Sequence, residues 1–436
     1  MAANDCGARL SRDHDIVIIN VDGLAAELQN LMADNLFMPQ ECCIFRVPTI
    51  LLRHNAEAYA PNAFSIGPFH YKRSPLMEAT QKIKVRYLHD LISGGQPSPQ
   101  RRLRDVIKAV TDVHEAACKY YAGPIGMTMN EFVQVMVLDG CFIIELFRKK
   151  ACQNLRGLDD PVFEMSCLLQ FLYHDLIMLE NQIPWVVLET LFNLPFVTRI
   201  DKRPLVQLAI EFFGNIFPTS SSNSLQTLLY PQNEIKHILD MLRNSLVWPS
   251  SVTNEADLNW QPMPSVTSLK KAGIKFKKGK NSKSILDVKF NKGVLEIPPL
   301  LVQETTEPLF RNLISFEQCC PGCQPVITTY AILMDNLINT NDDIESLSRI
   351  GILENWLSVD EATKFFNELY TDTYVKENYY LNLTKQVNEH CKRQWPRYRT
   401  VLVRDYFNHP WAFISLGVAT FITVCTFIQT LFTIMK

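Results

Sequence analysis

The stretch FVQVMVLDGCFIIELFRKK, residues 132–150, decides how this chain folds. Apolar side chains cover almost the whole circumference of a helix with this sequence, and other elements must bury such a helix on all sides. Helical patterns also occur at 75–92 and 100–122, before this stretch, and at 167–192, after it. We therefore predict a mainly α fold, a large helical domain built around a central helix at 129–150.

The composition is that of a globular protein with a large core. Of the 436 residues, 47% are hydrophobic and 20% are charged, which is unlike the composition of disordered chains. The formal net charge at pH 7 is -2, so the chain as a whole creates no strong field that would recruit polyanions. We expect no nucleic-acid partner, and any charge-driven binding must come from local clusters.

The cysteine pattern argues against a disulfide framework and against a metal centre. The sequence has 12 cysteines, and most lie inside apolar runs, where thiols usually behave as small buried hydrophobic groups. We infer a reducing compartment. Cys319, Cys320 and Cys323 place three thiols close together, but no second Cys/His pair follows at zinc-finger spacing. The sequence contains no nucleotide-binding, nucleophile-elbow or metalloprotease motif either. We therefore predict no metal, no cofactor and no catalytic residue.

A late segment has strand character. Residues 284–290 (SILDVKF) alternate between apolar and polar, and VLEIPPL follows after Asn291, Lys292 and Gly293. These three residues fit a short hairpin loop with glycine where φ is positive. GIKFKKGK, just upstream, is a candidate third strand. We predict a small β-hairpin inserted at about 274–298.

The same segment carries a cluster of lysines opposed by a single acid, Asp287. The cluster comprises Lys270, Lys271, Lys275, Lys277, Lys278, Lys280, Lys283, Lys289 and Lys292. One interpretation is a solvated hairpin surface. The other is contact with anionic lipid headgroups, where each basic residue contributes about 1 kcal/mol. Nucleic-acid binding is disfavoured because arginines and stacking aromatic residues are scarce in this segment.

Three polar residues, Asp139, Glu180 and Asn181, interrupt apolar runs and are predicted to be buried. A carboxylate on an apolar helix face is costly to bury without a partner. One hypothesis makes Asp139 or Glu180 a general acid or base with a raised pKa. The alternative is structural: Asp139 pairs with an arginine such as Arg46 or Arg53, or with backbone amides. Glu180 and Asn181 then satisfy backbone donors at a helix end.

The C-terminal stretch 411–435 contains no charged side chain. At about 1.5 Å per residue, a helix of this length exceeds the roughly 30 Å of bilayer hydrocarbon. We therefore predict a transmembrane helix at 411–435, with the lipid bilayer as its partner. Only Lys436 follows this stretch, whereas five basic residues precede it: Lys392, Arg393, Arg397, Arg399 and Arg404. The positive-inside rule then predicts that the bulk of the chain faces the cytosol.

Four segments follow from these patterns. Residues 1–35 are predicted to be a variable N-terminal leader, and they lack the uninterrupted apolar run of a secretory signal peptide. Residues 36–395 form the helical domain, 396–410 a basic juxtamembrane segment and 411–435 the transmembrane helix. The predicted location is a membrane, single-pass with a C-terminal anchor, and the sequence does not distinguish the plasma membrane from endomembranes.

Seven sequence blocks, in order, resemble one known family. They are IFRVPTILLRHNAEAYAPNAFSIGPFHYKR, MVLDGCFIIELF, DLIMLENQIPWVVLETLF, AGIKFKKGKNSKSILDVKFNKGVLEIPPL, LFRNLISFEQC, ITTYAILMDNLINT and the C-terminal PWAFISL. Together they resemble the plant DUF247 family, also called UPF0481, over about residues 40 to 436. The resemblance implies a plant protein with one C-terminal membrane segment and without established enzymatic activity or agreed catalytic residues. For some grass members it implies pollen-side recognition in self-incompatibility.

Two functions remain in view from the sequence. The leading hypothesis is a membrane-anchored, non-enzymatic interaction or recognition protein with an unknown protein partner. The alternative is a membrane-associated enzyme with Asp139 or Glu180 in its pocket. An open cleft around these carboxylates would favour the enzyme, and carboxylates sealed by structural partners would disfavour it.

Overall fold

The chain divides into two compact units, Met1–Gln40 and Glu41–Lys436. In the first unit the structure describes one helix, α1 (Val21–Ala33), and most of the predicted leader lies outside the described residues. The computed structural model describes residues 20–33, 39–71, 75–94, 96–198, 202–214, 235–247, 261–280, 282, 284–392 and 410–434.

Helices dominate the second unit, so the prediction of a mainly α fold is confirmed. Those before the strands are α2 (Thr49–Leu52), α3 (Pro75–Ile92), α4 (Pro99–Cys118), α5 (Met129–Ala151), α6 (Pro161–Glu164), α7 (Ser166–Asp175), α8 (Trp185–Phe192), α9 (Leu205–Phe213), α10 (Ile238–Val247) and α11 (Val266–Lys271). Those from α12 onward are α12 (Thr306–Cys319), α13 (Val326–Leu337), α14 (Asn341–Arg349), α15 (Val359–Glu368), α16 (Leu381–Lys392) and α17 (Pro410–Ile434). Short 3-10 turns occur at Ala56–Tyr59 and Gln153–Leu155.

Helix α5 is the central helix that its apolar surface predicts. A capping box defines its start: Thr128 Oγ1 accepts from the N–H of Glu131, and Glu131 Oε2 accepts from the N–H of Thr128 at 3.0 Å. The helix packs against α3, α4, α8 and α9. Gly140 permits the close approach of α8, because a Cβ at this position would lie 2.5 Å from Cδ1 of Leu191. The first half of the unit is thus assembled around α5.

A buried carboxylate joins the helices of the second half. Glu317 on α12 accepts from the N–H groups of Ile327 at 3.0 Å and Thr328 at 2.8 Å, in the first turn of α13. Arg243 on α10 donates to Oε1 of Glu317 at 2.9 Å. Because the first N–H groups of a helix lack intrahelical acceptors, Glu317 supplies the acceptors that α13 needs and ties three helices together.

Five short strands form two small sheets: β1 (Lys275–Lys278), β2 (Lys289–Asn291), β3 (Val294–Ile297), β4 (Leu300–Val302) and β5 (Leu353–Asn355). Strands β2 and β3 form a hairpin at the predicted place, and Lys292 and Gly293 turn the chain with φ of 46° and 81°. The predicted first strand at 284–290 is too long, because β2 begins at Lys289 and residues 284–288 form no strand. Strand β1 joins parallel to β3, in the order β1-β3-β2. The parallel pair β4–β5 was not predicted, because α12, α13 and α14 separate its two strands in the sequence.

The prediction at the C-terminus is corrected by the structure. Residues Pro410–Ile434 form a single helix, α17, but within the part of the chain that the structure describes, no helix is both long and apolar enough to cross a membrane. This finding contradicts the transmembrane helix at 411–435 and the single-pass, tail-anchored location inferred from it. The prediction relied on the absence of charge, whereas uncharged polar groups recur along α17. Four threonine hydroxyls of α17 donate to backbone carbonyls one turn earlier in the helix: Thr423, Thr426, Thr430 and Thr433.

The juxtamembrane segment predicted at 396–410 lies, apart from Pro410, outside the described residues.

Candidate functional site

Asp139, the first candidate catalytic residue, is sealed inside the domain. Its side chain projects from α5 and is 2% exposed. Lys84 on α3 places its Nζ 2.5 Å from Oδ1, and the N–H of Gly67 donates to Oδ2 at 2.8 Å. Burial raises the pKa of Asp139, while the Lys84 charge and these hydrogen bonds oppose the shift. The sequence suggested an arginine such as Arg46 or Arg53, or backbone amides, as the partner; the structure provides a lysine and the backbone amide of Gly67.

Asn181 and Asp175 hold the loop next to Asp139. Asn181 Oδ1 accepts from the N–H of Ile66 at 2.6 Å, and its Nδ2 donates to the carbonyl of Phe64 at 2.9 Å. The carboxylate of Asp175, at the end of α7, accepts from the N–H groups of Asn62 (2.7 Å), Ala63 (2.9 Å) and Phe64 (2.7 Å). We call Asp139, Asp175 and Asn181 the polar clamp. The sequence analysis did not identify Asp175 as a buried polar residue. Its position at the end of an apolar helical run could have indicated this role.

Glu180 also accepts a hydrogen bond from a backbone N–H group, in the segment that precedes α2. Its Oε1 accepts from the N–H of Val47 at 2.8 Å. Its Oε2 lies 3.3 Å from Nε2 of His70 and 3.8 Å from Nη1 of Arg46. Glu180 therefore anchors the strand-like segment before α2 and does not bind a backbone donor at the start of α8, where Pro184 makes no side-chain cap.

The clamp and Glu180 together immobilise the irregular segment 44–71. Extended backbone that runs through a core needs acceptors for its N–H groups, because each unsatisfied buried group costs roughly 1–3 kcal/mol. The acidic and amide side chains supply them, which explains why they lie in apolar surroundings. The contacts of Asp139 and Glu180 are thus those expected of structural groups.

A second buried charge cluster was missed from sequence. Lys149 on α5 is 1% exposed and donates to Oδ2 of Asp90 at 2.7 Å and to Oδ2 of Asp160 at 2.8 Å. Its Nζ also lies 3.9 Å from the ring centroid of Tyr87. Although burial opposes it, bonding from Lys149 and Tyr87 lowers the pKa of Asp160. The single ammonium bridges the two carboxylates and links α3 to α5.

The predicted lysine cluster forms an exposed surface on the three-stranded sheet. In the register, Lys277 lies opposite Glu296, and Glu296 lies opposite Lys289. Lys275 shares their face, because side chains two residues apart on a strand point the same way. We call the exposed residues Lys275, Lys277 and Lys289 the lysine face.

Other members of the cluster lie around this face. Lys278 and Lys280 are exposed at the end of β1, and Lys292 is exposed in the hairpin turn. Lys270 and Lys271 end α11, where burial and the neighbouring Arg349 lower the pKa of Lys270. Lys283 lies outside the described residues. The described lysines of the cluster therefore lie on and around one small three-stranded sheet.

A cavity of about 400 Å³ lies elsewhere, where the end of α8 approaches α4. Leu194, Pro195 and Phe196 form its apolar wall, and Asp105 and Lys108 line it from α4. None of the residues singled out from the sequence lines it. The cavity therefore provides no setting for Asp139 or Glu180.

The three clustered thiols lie where α12 ends. Cys320 is buried, and Cys319 and Cys323 are half-buried; all the cysteines of the described residues are free. Within those same residues, no group of three or more His, Cys, Asp or Glu side chains is placed to hold a metal ion.

Comparisons with known proteins assign the family. A family model described as DUF247, plant protein of unknown function, matches residues 44–425. The UPF0481 protein At3g47200 of Arabidopsis thaliana is 29% identical over 424 residues, covering 91% of this chain and 87% of the relative. The putative UPF0481 protein At3g02645 of the same plant is 23% identical over 491 residues, covering 88% and 89%. No solved structure matches the chain. The chain belongs to the plant DUF247 family, whose function is uncharacterised.

Proposed function

We propose that this protein is a non-enzymatic interaction protein whose lysine face binds an acidic surface of a partner protein. The proposal rests on the arrangement of Lys275, Lys277 and Lys289 on one exposed face of the three-stranded sheet. The opposite face of this sheet packs against the core. The strand register places the three lysine backbones on one face, so that their positive charges are concentrated on one side of the sheet. Such a concentration favours electrostatic recognition of an acidic partner.

The buried carboxylates support an interaction role over the enzymatic alternative. Asp139 is engaged by Lys84 and Gly67, and Glu180 by Val47 and His70. A general acid or base must reach a substrate proton within about 3 Å or through one water. Neither carboxylate opens onto the cavity beside α4, so the alternative is left without its two candidate residues.

The charge pattern of the face favours a protein over a uniformly anionic surface. Glu296 lies in the middle strand between Lys277 and Lys289, and its Oε2 is 4.0 Å from Nζ of Lys277. An acid at this central position repels a flat, continuous layer of negative charge such as a bilayer surface. A polypeptide can direct its carboxylates to the flanking lysines and leave a neutral group opposite Glu296.

The aromatic residues of the sheet argue against single-stranded nucleic acid. Phe276 and Phe290 lie opposite Leu295 in the register and pack toward the core. They point away from the lysine face, so bases would have no ring on which to stack there.

Charge reversal on the full-length chain tests the proposal. The variant Lys275→Glu, Lys277→Glu, Lys289→Glu is compared with a control that reverses three exposed lysines on helices or loops elsewhere, Lys82, Lys364 and Lys376. Labelled poly-glutamate and phosphatidylserine vesicles serve as separate probes. We expect the wild type to bind poly-glutamate in a salt-sensitive manner and the face variant to bind about tenfold more weakly. The control should resemble the wild type.

Proximity labelling in plant cells extends the test to natural partners. Neighbours that disappear with the face variant and remain with the control should expose acidic surfaces. Equal weakening by both variants would show a non-specific charge effect and overturn the proposal. Stronger binding to the vesicles than to poly-glutamate would overturn it in favour of lipid headgroups.

A further inference from the structure

The segment CPGC, residues 320–323, forms a tight turn with a thiol at each end. The N–H of Cys323 donates to the carbonyl of Cys320 at 3.1 Å, and Gly322 has φ of +75°. Proline followed by glycine of positive φ is the type II turn, which keeps its first and last Cα atoms within about 7 Å. That separation is compatible with a disulfide between the two ends.

The turn is held from both sides. Arg243 donates to the carbonyl of Gln324, directly after the turn, and to Glu317, shortly before it. Glu317 is in turn bound to the start of α13. The two thiols are hydrogen-bonded to each other at the ends of this turn. Open space surrounds the turn at Gly322, where nothing lies within 4 Å of a Cβ built on the glycine, and Cys323 is the more exposed of the two thiols.

Lys236 provides a cation for one of the thiols. Its Nζ donates to Sγ of Cys320 at 3.7 Å. Hydrogen bonding from Cys323 and the charge of Lys236, although burial opposes them, lower the pKa of Cys320 below that of an ordinary thiol. The hydrogen bond that Cys323 makes with Cys320, together with burial, raises the pKa of Cys323. At the adjacent Cys319, burial and the charge of Cys320 raise the pKa to about 11.

Other charged or titratable groups also act on this site. Asp240 on α10 opposes the effect of Lys236 at Cys320. Burial and the charge of Cys320 raise the pKa of the neighbouring thiols Cys42 and Cys43, so these stay neutral when Cys320 ionises. Arg243 and Glu317 act mainly on Cys323, with opposite signs. The cationic contribution at Cys320 thus comes from Lys236.

We propose that Cys320 and Cys323 form a redox-active dithiol that hydrogen peroxide oxidises to a disulfide and that thiols reduce again. The Cys320 thiolate attacks one peroxide oxygen, so that an S–O bond forms, the O–O bond breaks and the leaving hydroxide takes a proton to become water. Cys323 sulfur then attacks the sulfenic sulfur; the S–S bond forms, the S–O bond breaks, and the thiol proton leaves with hydroxide as a second water. The thiols lose two electrons and the peroxide gains them.

Mass spectrometry of the full-length protein tests this proposal. Reduced protein is treated with hydrogen peroxide, alkylated, and analysed at each cysteine. We expect the peptide containing residues 320 and 323 to lose two hydrogens and both thiols to escape alkylation until dithiothreitol is added. Cys319 should remain alkylatable throughout. In Cys323→Ser, dimedone should trap the sulfenic acid at Cys320, whereas Cys319→Ser should form the disulfide normally.

Lys236→Gln distinguishes a positioning role from a merely structural one. The rate of disulfide formation should fall about 3- to 10-fold at pH 7 and recover at pH 9, because only the thiolate fraction changes. The wild-type result decides the proposal even if a variant does not fold. Alkylation of Cys320 after peroxide as rapid as that of Cys319, or oxygen addition without a disulfide, would overturn it.

Discussion

Nζ of Lys84 lies 2.5 Å from Oδ1 of Asp139, and both side chains are almost fully removed from solvent. The pair joins α3 to α5 beside the loop that the polar clamp holds. A carboxylate in the middle of an apolar helix can be a catalytic group or part of a structural pair, and its partner decides which. Here the ammonium group and the N–H of Gly67 occupy the carboxylate.

Removing one member of this pair should be costly. Asp139→Ala leaves the Lys84 charge buried and unpaired, so the free energy of unfolding should fall by about 3–5 kcal/mol. Asp139→Asn keeps an acceptor for Gly67 and should cost less. Lys84→Met combined with Asp139→Asn should cost less than the sum of the separate changes, as measured by urea denaturation. Strict additivity would show that the two side chains do not interact.

Gly67 should tolerate no side chain. Its φ is +72°, and a Cβ would lie 2.4 Å from the carbonyl oxygen of Gln182. Gly123 is a matched control, with φ of +84° and nothing within 4 Å of its Cβ position. Both changes to alanine incur roughly 1–2 kcal/mol of backbone strain, but Gly67→Ala should lower the melting temperature well beyond Gly123→Ala. Equal melting temperatures would contradict the packing at Gly67.

His237 should make stability sensitive to acid. Burial lowers its pKa to about 3, and its Nδ1 accepts from the N–H of Asp240 at 3.2 Å. The unfolded state binds a proton near pH 6.5, whereas the folded state does not. The stability that His237 contributes is therefore present above pH 6.5 and is lost as pH falls toward 3.

The comparison of wild type with His237→Gln isolates this effect. Between pH 7 and pH 5, the wild type should lose roughly 2 kcal/mol more unfolding free energy than the variant, since 1.5 pH units of linkage correspond to about 2 kcal/mol. Urea denaturation at several pH values measures it. Parallel pH profiles would show that His237 titrates normally in the fold.

Lys149 should be essential for stability, unlike its neighbour. Lys149→Met removes the ammonium that bonds to the carboxylates of both Asp90 and Asp160, and the unfolding free energy should fall by about 3–5 kcal/mol. Lys150→Met serves as control, because Lys150 is half-buried and its Nζ lies 5.9 Å from the centroid of Tyr173. A control as damaging as Lys149→Met would contradict the assigned role.

Individual helices and the hairpin turn could be predicted because their sequence signals involve residues close together in the chain. The all-round apolar surface of residues 132–150 predicted the central position of α5, and Asn291, Lys292 and Gly293 predicted the hairpin turn. The pair β4–β5 escaped prediction because its hydrogen bonds connect distant segments. The C-terminal interpretation was wrong because a missing charge is weaker evidence than the continuous apolar length that a membrane span requires.

The sequence by itself determined the mainly helical class, the family blocks and the positions where polar groups interrupt apolar runs, since periodicity and turn chemistry act between near neighbours. Only the tertiary structure decided which partner each polar group meets. Lys84 pairs with Asp139, Asp175 holds the loop at 62–64, and Lys236 faces Cys320. Such choices depend on contacts between residues far apart in the chain, where many partners satisfy the same local pattern and packing selects one.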